Sequence, residues 1–197
     1  MSLEKELKRA NIELKEYQIK NLETFIQKLK EWSRVHNITR IKEDKKIIEN
    51  IVDSLIPTTF IQKPKNMVDI GTGAGFPGLI LAIAWDDIDI TLSEPINKRA
   101  SFLRYIATML NLKNVEIFRD RVERIKDKKF ELITSRAVTD TKLLLNLTKD
   151  ISMPTTKYLF YKGSGVLEEL DSSIKEKFNI IIKNRGKRNY LLLEPKS

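Results

Sequence analysis

A glycine-rich run at residues 67–79, MVDIGTGAGFPGL, constrains the fold of this chain more than any other segment. Residues 67–70 are mostly apolar and predict a buried strand, and the small and apolar residues 79–84 predict a helix. The glycines and the proline between them predict a tight loop. Glycines let a ligand approach the backbone, and a helix N-terminus presents free amide groups. The segment therefore predicts the first turn of a Rossmann-like sheet with a nucleoside site, and a purely structural turn is the alternative.

The spacing within the loop favours one kind of nucleoside over another. The dinucleotide fingerprint needs a small residue at its sixth position so that helix and strand can pack, whereas this chain has Phe76 followed by Pro77. The chain instead has Asp-x-Gly-x-Gly-x-Gly, which resembles motif I of S-adenosylmethionine (SAM) methyltransferases. This pattern makes four residues candidates for cofactor binding: Asp69, Gly71, Gly73 and Gly75.

The composition excludes several kinds of site. The chain has no cysteine, which excludes disulfides, thiolate zinc sites and cysteine nucleophiles, and His36 is its one histidine. We therefore expect no metal site. No apolar run approaches the roughly 20 residues of a membrane span, and the start MSLEK has no apolar signal region. We expect a cytoplasmic protein without a membrane partner, and the 197 residues suit one domain with a small extension.

The charge balance favours a polyanionic partner. The 36 lysines and arginines exceed the 27 acids and give a formal net charge of +9. Such a surplus is typical of proteins that contact nucleic acid, and a generally lysine-rich composition is the alternative. The basic residues are concentrated near the C-terminus, where seven of them accompany two acids from residue 175 onward: Lys175, Lys177, Lys183, Arg185, Lys187, Arg188 and Lys196.

The order of patterns along the chain predicts an α/β fold. Residues 1–56 have apolar residues at helical spacing and predict an N-terminal helical extension. Strands and helices alternate in residues 57–197, which predicts a Rossmann-like domain with a mostly parallel seven-stranded sheet. The predicted strands cover residues 67–70, 89–93, 115–118, 130–135, 157–161, 178–183 and 189–193, with helices over 97–111 and 141–150. The last two strands are close in sequence, so we expect a C-terminal antiparallel hairpin across residues 184–188.

Polar residues at the carboxyl ends of the predicted strands are further site candidates, because open parallel sheets bind ligands there. Glu94 closes the second strand and can accept hydrogen bonds from both ribose hydroxyls, or it is an exposed turn acid before Pro95. The Val122 amide and the Glu123 carboxylate can bind the adenine edge, unless this segment is only a solvated loop. Arg136 ends the fourth strand and can pair with the SAM carboxylate or an RNA phosphate, or close a surface ion pair.

The residues that are missing narrow the methyl acceptor. Methylation at carbon-5 of a pyrimidine needs a cysteine nucleophile, which the chain lacks. Adenine amino-methyltransferases usually carry Asn/Asp-Pro-Pro-aromatic after the fourth strand, where this chain has Ser135, Arg136 and Ala137. Guanine N7 has a lone pair and carries no proton, so its methylation needs positioning but no obligatory base. The chain fits that chemistry, with Arg136 as the best candidate for a catalytic role.

Several motifs are specific in combination. The strongest are the loop DIGTGAGFPG at residues 69–78 and the downstream Ser-Arg-Ala at 135–137. Further matches are residues 32–39, 52–55, 98–104, 121–123 and 162–163. Together, from about Trp32 to Gly163, these residues resemble the small-subunit ribosomal RNA guanine-N7 methyltransferase family, RsmG (also called GidB).

The resemblance implies SAM as the cofactor and 16S ribosomal RNA (rRNA), or the small ribosomal subunit, as the partner, with methylation of a guanine in the decoding region. By position, the residues that would bind SAM are Gly71, Phe76, Val122, Glu123 and Arg136. The candidates for RNA contact, from the family pattern and the basic C-terminus, are Lys98, Arg99, Arg104, Lys162, Arg185, Lys187 and Arg188.

Two residues depart from the family pattern. Asn50 stands where the family usually has histidine, which leaves the role of this side chain open, and Glu94 stands where it usually has aspartate, which keeps the carboxylate. Two other interpretations are an oxidoreductase with a nucleotide cofactor, which Phe76 and Pro77 disfavour, and a non-catalytic basic RNA-binding protein. We expect a monomer.

Overall fold

Three helices precede the sheet in the computed structural model, which describes residues 2–136 and 138–196. They are α1 (Leu3–Arg9), α2 (Glu16–His36) and α3 (Asp44–Leu55). The chain leaves α1 and α2 through two asparagines with left-handed backbones, Asn11 at φ 53° and Asn37 at φ 49°. Asparagine tolerates this conformation better than most residues and ends a helix there. No helix of the described residues is long and apolar enough to cross a membrane.

The rest of the chain forms a mixed sheet with helices on both sides. The strands are β1 (Asn66–Ile70), β2 (Asp89–Ser93), β3 (Val115–Phe118), β4 (Phe130–Arg136), β5 (Ser152–Lys162), β6 (Phe178–Arg185) and β7 (Arg188–Pro195). The connecting helices are α4 (Gly78–Ala84), α5 (Asn97–Met109), α6 (Thr141–Leu147) and α7 (Ser172–Lys177). The seven strands lie in the order β3-β2-β1-β4-β5-β7-β6. Strands β1 to β5 are parallel, and β7 runs antiparallel to both β5 and β6.

This architecture confirms the predicted Rossmann-like α/β fold, the parallel strands and the C-terminal hairpin. Several element bounds differ from the predictions, most clearly in three places. Strand β5 begins at Ser152, five residues before the predicted start, because Ser152 pairs with Phe130 of β4 ahead of a shift in register. The Thr156 hydroxyl donates to the Phe130 carbonyl at 2.6 Å beside this shift. The helix predicted over residues 141–150 ends at Leu147, and the next residue, Thr148, donates its hydroxyl to the Leu144 carbonyl at 2.8 Å. The short helix α7 was missed.

The helical extension packs on the sheet through a shared hydrophobic core. Buried residues of α1, α2 and α3 join those of α4, α5, β1 and β2 in one cluster. A second cluster, on the other side of the sheet, contains Phe160, Leu144 and Ile174. The division into residues 1–56 and 57–197 stays a prediction about domain organisation, and the two segments meet in a common core.

The topology brings the chemically informative residues to one edge of the sheet. The parallel strands β1, β2, β4 and β5 all end there. The register of β5 with β7 pairs Lys162 with Asn189, so the β6–β7 turn lies at the same edge. Ligands bind at this edge in open α/β sheets.

Candidate functional site

The glycine loop after β1 has the backbone that only glycine adopts easily. Gly71, Gly73 and Gly75 have φ values of +63°, +61° and +100°. The Gly75 and Phe76 amides both donate to the Thr72 carbonyl, at 2.9 and 3.0 Å, which closes the turn. The Phe76–Pro77 peptide bond is cis. Side chains at the three glycines would strain this conformation, so the loop shape depends on the glycine spacing seen in the sequence.

Asp69 lies beneath the loop and is fully buried. One carboxylate oxygen accepts a hydrogen bond from the Gly78 amide at 2.9 Å, and the other accepts one from the Thr134 hydroxyl at 2.7 Å. Burial raises the pKa of the Asp69 carboxyl to about 6. Asp69 therefore holds the start of α4 against β4 and supports the loop from below.

Glu94 links the loop to the segment before α5. Its carboxylate accepts hydrogen bonds from the Gly73 amide at 2.8 Å and from the Ile96 amide at 2.9 Å, and its side chain is buried. An oxygen of a carboxylate has a second lone pair after accepting one bond. Glu94 is therefore a buried acid beside the glycine loop, and the alternative of an exposed turn acid is wrong.

Val122 and Glu123 lie in a short 3-10 turn, Val122–Arg124, after β3. Val122 is buried and Glu123 is exposed. The Ser93 hydroxyl at the end of β2 donates to the Asp120 carbonyl at 2.9 Å and fixes this segment beside the loop that follows β2. The adenine-binding role predicted for the pair stays a prediction.

Arg136 lies at the end of β4 between the glycine loop and the helical extension. Its Nη1 donates to Asn50 Oδ1 at 2.8 Å and lies 3.4 Å from Asp53 Oδ2, and its guanidinium lies 5.0 Å from the centre of the Phe76 ring. Burial lowers the pKa of the guanidinium, although Asp53 opposes this effect. Asn50 thus acquires a clear structural role as a partner of Arg136. The third residue of the Ser-Arg-Ala motif, Ala137, lies outside the described residues.

Phe76 faces the protein core. The side chain is 5% exposed, and its ring packs edge-on against Phe25 of α2 with 5.4 Å between centroids. The Arg136 guanidinium also lies against this ring, 5.0 Å from its centre. Phe76 therefore connects the loop to the helical extension, and its predicted contact with SAM stays a prediction.

Sequence reasoning did not assign a role to Asp53, which is a centre of hydrogen bonds in this region. Its carboxylate accepts bonds from Arg188 Nε at 3.0 and 3.1 Å and from the Tyr190 hydroxyl at 2.8 Å, in addition to the Arg136 contact. Asp53 is one residue of an amphipathic helix in the sequence, and nothing in its spacing distinguishes it from a solvent-exposed acid. The one signal was its place in the motif at residues 52–55.

The basic residues predicted to contact RNA include some that are exposed and others that pair with acidic side chains. Lys98, Arg104, Arg185 and Lys187 are exposed, Arg99 is half-buried, and Arg188 is half-buried against Asp53. Lys162 differs from the prediction. Its side chain is 8% exposed, and its ammonium donates to Glu169 at 2.6 Å and to the Thr139 carbonyl at 2.8 Å. This ion pair turns Lys162 inward, so we withdraw it from the RNA-contact residues.

The site fits a nucleoside cofactor. A Cβ built on Gly73 would meet only the Gly71 carbonyl oxygen, at 3.9 Å, so the space in front of the loop is open beside the Glu94 carboxylate. Within residues 2–136 and 138–196, no three histidine, cysteine or acidic residues come together as metal ligands. The open loop and the adjacent acid suit a ribose and its neighbouring groups.

The strand order, the glycine loop after β1 and the acid after β2 define a Rossmann-like methyltransferase fold. Solved structures with this fold include a methyltransferase from Geobacter sulfurreducens (TM-score 0.63, 14% identity, covering 88% of this chain and 89% of that chain). A SAM-dependent methyltransferase from Aquifex aeolicus is similar too (TM-score 0.60, 16% identity, 87% and 97% covered).

Sequence comparisons identify the family. The family model described as rRNA small subunit methyltransferase G matches residues 18–186. The chain is 45% identical over 193 residues to "Ribosomal RNA small subunit methyltransferase G" of Aliarcobacter butzleri, covering 98% of each chain. It is 44% identical over 169 residues to the protein of that name from Wolinella succinogenes, covering 86% of this chain and 88% of the relative. The chain belongs to the rRNA small subunit methyltransferase G (GidB) family and is a SAM-dependent methyltransferase. This result excludes the oxidoreductase and the non-catalytic RNA-binding protein as the main interpretation.

Proposed function

We propose that the protein transfers the methyl group of SAM to N7 of a guanine in the decoding region of 16S rRNA. The observation that carries this proposal is the position of Arg136, which touches Phe76 of the glycine loop and shares Asp53 with Arg188 of the basic hairpin. A cofactor loop and a basic surface thus meet at one residue. The family name of the relatives supports an rRNA substrate.

The donor half of the site consists of the loop and the carboxyl ends of β2 and β3. SAM, when bound, supplies a methyl group activated by the sulfonium. We assign the nucleoside to the backbone of Gly71, Gly73 and Gly75 and the ribose hydroxyls to Glu94, which lies 2.8 Å from the Gly73 amide. Val122 and Glu123 follow β3 at the next position along the sheet edge and are assigned to the adenine.

The acceptor half needs positioning more than acid–base chemistry. Guanine N7 has a lone pair in the plane of the base and loses no proton when it gains a methyl group, so the enzyme has to hold the base in line with the methyl–sulfur bond. Arg136 is the best candidate for this task, as the partner of the SAM carboxylate or of an RNA phosphate. Asn50 and Asp53 hold one of its nitrogens.

The proposed RNA surface consists of six basic residues, four exposed and two half-buried, on two elements that border the site. They are Lys98, Arg99 and Arg104 of α5 and Arg185, Lys187 and Arg188 of the β6–β7 hairpin. Because several phosphates would be neutralised, RNA affinity should fall steeply with salt. We propose a monomer that acts on rRNA or the small subunit.

The test is a map of N7-methylguanosine in 16S rRNA from cells with and without the protein. We expect one modified guanine to disappear in its absence and to return when the purified protein and SAM are added. Naked rRNA and small subunits, assayed side by side, identify the substrate form. An unchanged N7-methylguanosine pattern would contradict the proposal, and calorimetry with SAM would still test the donor half.

A further inference from the structure

Asp53 lies between two arginines that serve different halves of the site. Arg136 ends β4 beside the glycine loop, and Arg188 begins β7 at the basic hairpin. Arg188 Nε bonds both Asp53 oxygens, at 3.0 and 3.1 Å, while Arg136 Nη1 lies 3.4 Å from Oδ2. One carboxylate thus faces two guanidinium groups, and this cluster keeps a net charge of +1.

The three side chains are largely shielded from solvent, so the cluster differs from an ion pair on the surface. The side chains of Asp53, Arg136 and Arg188 are 17%, 13% and 28% exposed. The Tyr190 hydroxyl donates to Asp53 at 2.8 Å. Burial, together with the negative charge of Asp53, raises the pKa of this hydroxyl, which stays protonated. Asp53 therefore has three partners from two strands and fixed side-chain geometry.

The arginines retain donors for a ligand. In the described part of the chain, the hydrogen bonds of Arg136 use Nη1 alone, so Nε and Nη2 remain for another acceptor. Arg188 uses Nε for Asp53, with a long 3.5 Å contact from Nη1 to the Lys162 carbonyl. Guanidinium groups bind phosphates through two parallel hydrogen bonds when their orientation is fixed.

We propose that Asp53 is a positioning residue, which orients Arg136 and Arg188 toward the same backbone phosphate of the RNA substrate. Asp53 touches neither the cofactor nor the RNA and acts through the two arginines. Asn50 contributes to the same arrangement by accepting a 2.8 Å bond from Arg136, with its own amide held by the Lys46 carbonyl at 2.7 Å. The phosphate assignment rests on the proposed function, because it requires an RNA substrate.

Removal of the Asp53 charge separates a role in positioning the RNA from a role in attracting it. An Asp53→Asn variant gains one net positive charge, so long-range attraction for RNA does not weaken. Loss of the shared carboxylate frees both guanidinium groups to rotate, which misplaces the phosphate and the base attached to it. We therefore expect kcat, at saturating SAM and RNA, to fall about tenfold while KM for RNA stays level or falls.

The control is Glu194→Gln, which makes the same charge change on β7, the strand that carries Arg188. Glu194 pairs with Lys157 across β5 and β7, at the opposite end from Lys162 and Asn189. We expect wild-type kcat and KM for this variant. Asp53→Glu keeps the charge, so it should retain more activity than Asp53→Asn. Thermal unfolding of each variant shows whether the fold is kept.

Wild-type kcat in Asp53→Asn would overturn the inference. A raised KM for RNA with unchanged kcat would also overturn it, as would equal loss in the Glu194→Gln control or an Asp53→Glu variant no better than Asp53→Asn. Should Asp53→Asn fail to fold, Asn50→Ala decides by the same kcat and KM criteria, because alanine is a strong helix former at that position of α3. If the wild-type enzyme transfers the methyl group of SAM to a nucleotide of the RNA other than guanine, the proposed function fails, and the kcat test of Asp53 still stands.

Discussion

The Arg136 guanidinium lies over the ring of Phe76, 5.0 Å from its centre. Phe76 belongs to the glycine loop and Arg136 ends β4, so this cation–π contact joins the two elements that we assign to the donor and acceptor halves of the site. The Phe76 ring also packs against Phe25 of α2, with 5.4 Å between the ring centroids. The helical extension therefore supports the site directly through its hydrophobic core.

Phe76→Leu should weaken both the loop and the contact with Arg136. Leucine keeps an apolar side chain in the core, but it loses the aromatic packing on Phe25 and the cation–π contact, so we expect about 1 to 2 kcal/mol less stability. SAM affinity should fall several-fold because the loop is less rigid. Denaturant unfolding and calorimetry measure the two effects. Wild-type values in both would show that the Phe76 ring has no role in the loop.

Glu94→Gln should weaken SAM binding. The two carboxylate oxygens of Glu94 accept hydrogen bonds from the Gly73 and Ile96 amides. A glutamine would place its NH₂ group against one of these two N–H donors. We expect at least about a tenfold loss of SAM affinity, equal to about 1.4 kcal/mol. Calorimetry of Glu94→Gln beside Glu116→Gln, an exposed acid of β3, provides the matched comparison. Equal SAM affinity in the two variants would remove Glu94 from the ribose site.

Asp69 should make stability depend on pH in the mildly acidic range. Burial raises its pKa from 3.8 to about 6. Between these two pH values, Asp69 is protonated in the folded protein and ionised in the unfolded chain. Stability from this group is complete below pH 3.8 and is lost as pH rises through about 6, by about 3 kcal/mol in total. Asparagine at this position cannot titrate, and its amide can donate to Thr134 while its oxygen accepts from Gly78.

The measurement is the free energy of unfolding of wild type and Asp69→Asn between pH 4 and pH 7. The difference, wild type minus variant, should decrease as pH rises through about 6. A difference that stays constant over this range would mean that Asp69 ionises as it does in the unfolded chain. The variant should still fold, because the Thr134 hydroxyl can turn toward the Val68 carbonyl, at 3.4 Å.

Lys162 and Lys187 should respond differently to the same substitution. Lys187→Ala removes an exposed cation from the hairpin tip, so RNA affinity and its salt dependence should fall with little change in stability. Lys162→Ala leaves Glu169 without its buried partner and should cost about 2 kcal/mol of stability. RNA filter binding at several salt concentrations and thermal unfolding separate the two outcomes. Weaker RNA binding by a stable Lys162→Ala protein would reverse our correction.

Much of the fold could be predicted from local patterns. The strand before the glycine loop, the alternation after it and the C-terminal hairpin each depend on residues close together in sequence, and each was confirmed. Strand β5 was predicted too short, because residues 152–156 include three hydroxyl side chains and Pro154, which hide their pairing with β4. Backbone pairing decided this boundary against the local composition.

The side-chain partners could not be predicted in the same way. The charge of Lys162 is evident from the sequence, but its pairing with Glu169 is not, because it depends on the short 3-10 turn Ser164–Leu167 between them. Asp53 is separated from Arg136 by 83 residues and from Arg188 by 135. No periodicity links residues at such distances.

The sequence by itself determined that the chain forms a Rossmann-like sheet with a glycine loop, because apolar periodicity and glycine spacing act over a few residues. It also determined the excess of positive charge. Only the tertiary structure decided which charges remain available to a ligand. The sheet brings Arg136 and Arg188 to one edge, and the packing of α3 places Asp53 between them. Burial makes each unpaired charge costly enough that its partner determines its role.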